Sequence, residues 1–309
     1  MKRFYSNGKL LLTAEYAVLD GATALALPTK FGQDLIIDGI EENQLIWTSF
    51  SHTGECWFEA VFDLPKLRLM HATFNSSREG SSEFIAETLQ NILQETRKLN
   101  PKFLSSNKGF VVKTNLTFPR DWGLGSSSTL INNIAQWAKV DAYQLLWNAF
   151  SGSGYDIACA QNNSAIFYQL ENSKPKVQRV DFDPSFKEQL CFVYLNQKQN
   201  SREGIARYRQ NQSDKSEIVR NISSISVELS KTNSIKEFES LITKHEQLIS
   251  TVVNLNPVKE RLFSDYFGAI KSLGAWGGDF ILATGNSTTR KYFKQKGYTI
   301  VLPYSDMIL

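Results

Sequence analysis

Gly123 and Gly125 are followed without a break by Ser126, Ser127 and Ser128. Before them runs a short β-branched stretch at 109–115. After them, a periodic segment at 130–140 sets Leu130, Ile131, Ile134, Trp137 and Ala138 on one helical face. A chain patterned this way has to pass from strand to helix through a tight turn that glycine permits. A helix that starts there directs unpaired N–H groups and the positive end of its dipole outward, which suits an anion such as phosphate. A glycine turn with a serine N-cap would use the same residues. No GxxxxGK[ST] occurs anywhere, so the segment is not a Walker A loop.

Around this segment the first half reads as strands at 9–12, 35–38, 44–49 and 57–62, with a second amphipathic helix at 82–99 carrying Phe84, Ile85, Leu89, Ile92 and Leu93 on one face. A strand at 165–170 is followed by a polar stretch, 171–176, expected to connect two domains. Beyond about residue 180 helices dominate. They are expected at 216–229, 234–255, 258–273 and 287–295, with strands at 190–195, 279–283 and 298–302. The second half is therefore α+β, helices on a small sheet. A chain of 309 residues exceeds the ~250 that one core usually serves. Two domains are expected, 1–175 and 176–309.

The charge balance, 34 Lys+Arg against 31 Asp+Glu, argues against a dedicated nucleic-acid or membrane-surface protein. Disorder is excluded by a hydrophobic content of 42%. Phe4 to Lys9 interrupts any apolar run after Met1-Lys2-Arg3, so no signal peptide is expected and the cytoplasm is the expected compartment. Glu15 and Asp20 spoil the apolar stretch 10–27 as a membrane span. Cys56, Cys159 and Cys191 are too sparse for a disulfide framework and read as reduced thiols. His52, His71 and His245 lack metal-ligand spacing, so no zinc site is expected.

Three further segments carry chemistry. In Leu273-Gly274-Ala275-Trp276-Gly277-Gly278-Asp279-Phe280, the glycines imply close approach of backbone to a strand or a ligand. Ser151-Gly152-Ser153-Gly154-Tyr155-Asp156 sets one acid in a small-residue turn, where capping a helix is the alternative use. Near the N-terminus, Lys9 opens an apolar strand and wants an anionic partner, unless it is simply a surface lysine.

Together, in this order, the segments resemble the GHMP kinases. Gly8-Lys9 with Ala14-Glu15-Tyr16-Ala17-Val18 and Gly21 is similar to the family's first motif, 123–128 to its ATP-phosphate loop, and 274–279 to its third, glycine-rich motif. The resemblance spans almost the whole chain. Glu15-Tyr16 and Gly152-Ser153-Gly154-Tyr155-Asp156 look closer to phosphomevalonate kinase than to mevalonate kinase.

The resemblance implies an α+β, two-domain fold, with an N-terminal domain like ribosomal protein S5 domain 2 and a ferredoxin-like C-terminal domain. It implies ATP and Mg²⁺ as cofactors. Lys9 and Asp156 would be the catalytic pair, Lys9 stabilising the attacking oxygen and Asp156 accepting its proton. Gly123, Leu124, Gly125, Ser126, Ser127, Ser128, Gly277 and Gly278 would bind the nucleotide, with Ser127 also a Mg²⁺ ligand. Glu15 and Tyr16 would line the site. Lys198, Ser201 and Arg202 would grip an anionic acceptor, or form a solvated loop and helix start.

The implied partner is a small-molecule phosphate acceptor, phosphomevalonate or mevalonate first. Homoserine, a sugar, or a non-catalytic ligand-binding role are the alternatives. No nucleic acid or membrane partner is expected, and the chain would be a monomer or homodimer. Departures from the pattern are Ala14 for glycine, Trp276 for a small residue, and the lack of an acid a dozen residues before Asp156, since Asp141 is wrongly spaced.

Overall fold

The computed structural model describes residues 1–74, 82–197, 201–211, 213–276 and 278–309, and of residues 82, 201 and 202 only the backbone. The chain forms two compact units, each assembled from separated segments. Met1–Gly8, Phe31–Arg120 and Leu124–Gln161 make the first, and Lys9–Lys30, Asp121–Gly123 and Asn162–Leu309 the second. This differs from the single boundary expected at 175/176.

The first unit contains the start of β1 (Lys2–Leu11), the later part of β2 (Ala24–Ile40), β3 (Gln44–Phe50), β4 (Cys56–Asp63), β5 (Leu69–Phe74), α1 (Ser82–Leu99), β6 (Gly109–Leu116), α2 (Ser126–Ala138), α3 (Ala142–Ala149) and α4 (Tyr155–Ala160). Its strands lie in the order β5-β4-β3-β6-β2. Along this order β3 and β6 run parallel and the other neighbouring pairs antiparallel. The strands turn Leu35, Ile37, Leu45, Trp47, Phe58 and Phe62 inward against Leu89, Ile92 and Leu93 of α1 and Ile131 and Ile134 of α2. Burying such apolar side chains stabilises the unit by about 1.5–3 kcal/mol each. The helical face read at 82–99 packs here except for Phe84, which is 62% exposed. Asp141 accepts the Gln144 N–H at 2.9 Å and so caps α3.

In the second unit, Ala24–Ala26 of β2 pairs with β7 (Ile166–Glu171), which pairs with β8 (Lys174–Arg179). The polar stretch 171–176 is therefore a hairpin and not a domain connection. Asn172 and Ser173 both have positive φ, 49° and 61°, and Glu171 faces Lys174 across the turn. Two left-handed central residues are what a tight two-residue hairpin requires. The pairing of β2 with β7 also explains why residues 9–30 belong to this unit.

The rest of the second unit comprises β9 (Leu190–Tyr194), α5 (Ser201–Gln210), α6 (Ser216–Leu229), α7 (Ile235–Val253), α8 (Val258–Leu262), β10 (Ile270–Ser272), β11 (Phe280–Thr284), α9 (Thr289–Gln295), β12 (Val301–Pro303) and α10 (Tyr304–Met307). The antiparallel order β10-β11-β9-β12, with helices between β9 and β10 and between β11 and β12, is the ferredoxin-like split βαβ arrangement.

The helix expected over 258–273 ends at Leu262. Its i, i+3, i+4 apolar spacing is satisfied instead by burying Phe263 and Tyr266 in the sheet's core and pairing β10 with β11. A Cβ on Gly268 would lie 2.2 Å from the Thr284 carbonyl oxygen, so glycine is needed where the chain turns flush against β11. No helix among the described residues is long and apolar enough to cross a membrane.

Candidate functional site

In the first unit the serine triplet opens α2. Gly125, in the left-handed region at φ 89°, is the N-cap and has no side chain to satisfy the first-turn N–H groups. The Thr129 N–H bonds the Gly125 carbonyl at 3.0 Å. Thr129 Oγ1 donates to Gln33 Oε1 at 2.7 Å, which fixes the start of α2 to β2. Leu124 is fully buried, Ser127 exposed and Ser126 half-buried. The loop therefore hangs from one apolar anchor and presents hydroxyls and helix-start amides outward, an arrangement suited to an anion.

Asp156 lies in the first turn of α4, whose N-cap is Gly154 at φ 90°. The acid is thus not the cap itself. Ser128 Oγ lies 3.2 Å from Asp156 Oδ2 and donates to it, joining the acid of the small-residue turn to the glycine-serine loop. Ser128 is buried and Asp156 half-buried. A hydrogen bond to a carboxylate from a buried hydroxyl fixes its orientation while leaving the other oxygen available.

Beside the loop is a cavity of about 190 Å³ bordered by Ser126, Ser127, Leu130, Trp47, Trp57 and Phe84. The Arg120 guanidinium lies 3.7 Å from the Trp57 ring centroid. An apolar, aromatic-walled hollow opening next to an anion seat has the composition of a site for a flat ring attached to phosphates.

In the second unit Lys9 Nζ donates to the Gly123 carbonyl at 2.8 Å. Gly123 has φ 67°, and a Cβ there would lie 2.4 Å from Asp279 Oδ2. The Trp122 ring sits edge-on to Phe280 at 5.3 Å, and the Tyr194 hydroxyl donates to the Asp121 carbonyl at 3.2 Å. These contacts hold residues 121–123 on β9 and β11.

Glu15 and Tyr16 are both buried in the second unit. Lys271 donates to Glu15 Oε1 and, at 3.0 Å, pairs with Glu246 Oε1. Ser272 Oγ and Trp276 Nε1 donate to Glu246 at 2.6 and 3.1 Å. His245 Nε2 accepts the Ala14 N–H at 2.9 Å and stands 3.5 Å from Glu15 Oε2. Burial, opposed by Lys271 and reinforced by Glu246, pushes the Glu15 carboxyl up to about 7. Burial and then Lys271 hold His245 well below the usual imidazole range.

Trp276, which stands where the family pattern has a small residue, is 1% exposed and spends its indole N–H inside this cluster. The sequence reading passed over Lys271 and Glu246 and gave His245 no partner. Its available signal was a charge on an apolar face, as in Ile270-Lys271-Ser272-Leu273. Gly278 is buried. Gly277 and Lys198 lie outside the described residues, and of Ser201 and Arg202 the backbone alone is placed, at the start of α5.

No family model matches the chain. One curated relative, a biosynthetic peptidoglycan transglycosylase of Stutzerimonas stutzeri, is 29% identical over 119 residues, 37% of this chain. The chain matches 48% of that protein, about half its length. Solved structures match over nearly all of the chain. A mevalonate kinase superposes with TM-score 0.68 at 18% identity, covering 97% of each chain. The Methanococcus jannaschii mevalonate kinase gives 0.67 at 18%, covering 96% of this chain and 94% of that one. Streptococcus pneumoniae phosphomevalonate kinase, solved with phosphomevalonate and AMPPNP, gives 0.66 at 16%, covering 100% and 98%. The chain has the α+β fold of the GHMP kinases.

Proposed function

We propose that this chain is an ATP-dependent small-molecule kinase that transfers the γ-phosphoryl group to a small anionic acceptor, phosphomevalonate or mevalonate first. The observation that carries the reading is the Ser128–Asp156 hydrogen bond, 3.2 Å, which sets a carboxylate against a helix-start anion seat. A phosphate seat alone fits any phosphate binder. A carboxylate tied to it adds a group able to take a proton from an incoming hydroxyl.

In this reading the N–H groups at the start of α2 bind the nucleotide phosphates and the cavity beside Ser126 and Ser127 receives the base. The donor set suits a hard cation carried in with the nucleotide, since Ser127 offers an exposed hydroxyl oxygen. Mg²⁺, held by Ser127 and phosphate oxygens, would supply charge neutralisation. Asp156 orients the attacking oxygen, taking the proton where that oxygen is a hydroxyl, as in mevalonate, and only positioning it where it is a phosphate oxygen, as in phosphomevalonate; Lys9 stabilises that oxygen as it attacks. Phosphoryl transfer needs chiefly such positioning and charge compensation.

A coupled ADP-release screen with mevalonate, phosphomevalonate, homoserine and hexoses tests the proposal. Acceptor-dependent ADP release supports it and names the acceptor. Tight MgATP binding without release on any acceptor would instead point to a ligand-binding role.

A further inference from the structure

Tyr16 has an unusual backbone for a non-glycine residue. Its φ and ψ are 61° and −43°, and the Ala17 N–H reaches back to the Glu15 carbonyl at 2.7 Å. This is a γ-turn of the strained, positive-φ kind. A bulky side chain persists in such a conformation only where its surroundings over-determine it, and such places cluster at functional sites.

The surroundings are specific. The Tyr16 hydroxyl donates to the Ala275 carbonyl of the 274–278 glycine loop at 2.8 Å. The ring stacks on Tyr208 of α5, centroids 5.9 Å apart. One turn earlier on α5, a Cβ on Gly204 would lie 2.1 Å from the Tyr16 hydroxyl oxygen and 2.6 Å from Cζ. Gly204 and Tyr208 are four residues apart and share a helix face, so α5 is seated on Tyr16 along that face. Tyr208 is fixed in turn by its 2.6 Å hydrogen bond to Asp20 Oδ2. Behind Tyr16, the preceding residue is held by Lys271.

We propose that Tyr16 is a positioning residue that fixes two segments at once, the glycine loop through Ala275 and helix α5 through Gly204. Its bearing on the reaction rests on the kinase reading, in which the loop serves the nucleotide and the start of α5, with Ser201 and Arg202, serves the acceptor. One rigid side chain then sets the loop and the acceptor helix in a single arrangement. The glycine at 204 is what lets the helix come close enough to be held.

Two variants and two kinds of readout test this. Tyr16→Phe keeps the ring and removes the hydroxyl, and Gly204→Ala pushes α5 off the ring. Amide hydrogen exchange followed by mass spectrometry should show Tyr16→Phe accelerating 273–276 by about fivefold, the worth of one hydrogen bond, with the hydrophobic core unchanged. Gly204→Ala should accelerate 204–211 and spare 273–276.

In initial-rate kinetics with MgATP and the acceptor found by screening, Tyr16→Phe should raise the KM for MgATP, and Gly204→Ala the KM for the acceptor alone. Tyr16→His, which restores a donor, should recover part of the Tyr16→Phe loss. Exchange unchanged in both segments, or accelerated throughout the molecule, would overturn the proposal. Should the wild-type protein neither bind MgATP nor transfer phosphate, the kinase reading falls, while the exchange data still decide whether Tyr16 fixes the two segments.

Discussion

Lys271 donates to Glu15 in the interior of the second unit, where neither side chain reaches solvent. One cation there faces two acid side chains, Glu15 and Glu246. A proton on Glu15 would remove that imbalance, in keeping with a carboxyl pushed up to about 7.

The pH dependence of stability follows from that proton. The folded-state value lies above the unfolded one, so Glu15 contributes stability that is fully present below about 4.5 and is lost as pH rises to about 7. Glu15→Gln keeps the shape and the neutral form. The stability difference between wild type and Glu15→Gln, from urea unfolding, should fall between those pH values by up to about 1.4 kcal/mol per unit and be flat above. His245, held neutral in both proteins, cancels in the difference. A difference curve flat across the whole interval would mean that Glu15 is ionised throughout.

Removing the cation should be far worse than removing the charge it faces. Lys271→Met leaves Glu15 and Glu246 buried without their common partner, and breaking such a pair costs about 3–5 kcal/mol. Adding Glu15→Gln should restore part of the loss, because the two sites share one interaction. Thermal melts of the three variants measure this, and strictly additive losses would contradict a coupled cluster.

Much of the fold was legible because its signals are local. The periodic faces of α1, α6 and α7 and the alternation in β3 and β4 are set by which residues point inward, and the loop from Gly123 to Ser128 carries its turn in its own glycines. What escaped depends on partners distant in sequence. Asn172 and Ser173 form a hairpin only because β7 has β2 to pair with. The 258–273 segment has helical spacing, yet its end is drawn into the sheet by β11. Glu15, Glu246 and Lys271 are charges on apolar faces whose meaning depends on meeting one another. Nothing near Trp276 in the sequence announces Glu246, which accepts its indole N–H.

Gly125 should tolerate no β-branched residue. At φ 89° an L-residue is strained by roughly 1–2 kcal/mol, and Val adds its stiff χ1. Gly125→Val should therefore displace the first turn of α2 and weaken MgATP binding by about tenfold or more, with far-UV circular dichroism unchanged. Isothermal titration with MgATP checks it. Unaltered affinity would remove the phosphate role from this loop.

Asp156 and Ser128 separate chemistry from orientation. Asp156→Asn keeps the size and the contact with Ser128 but cannot take a proton, so turnover should fall by about 10²–10⁴-fold with MgATP affinity intact. Ser128→Ala leaves the carboxylate but frees it to rotate, since the 3.2 Å bond that orients Oδ2 is gone. The expected loss is smaller, about tenfold to a hundredfold in kcat, the scale of one hydrogen bond to a charged group, with little change in KM for either substrate. Because both residues would act on one proton, Ser128→Ala should cost nothing further in an Asp156→Asn background. Steady-state kinetics of the two single variants and the double variant decide this. A full additional loss in the double variant would assign Ser128 to the nucleotide rather than to the carboxylate.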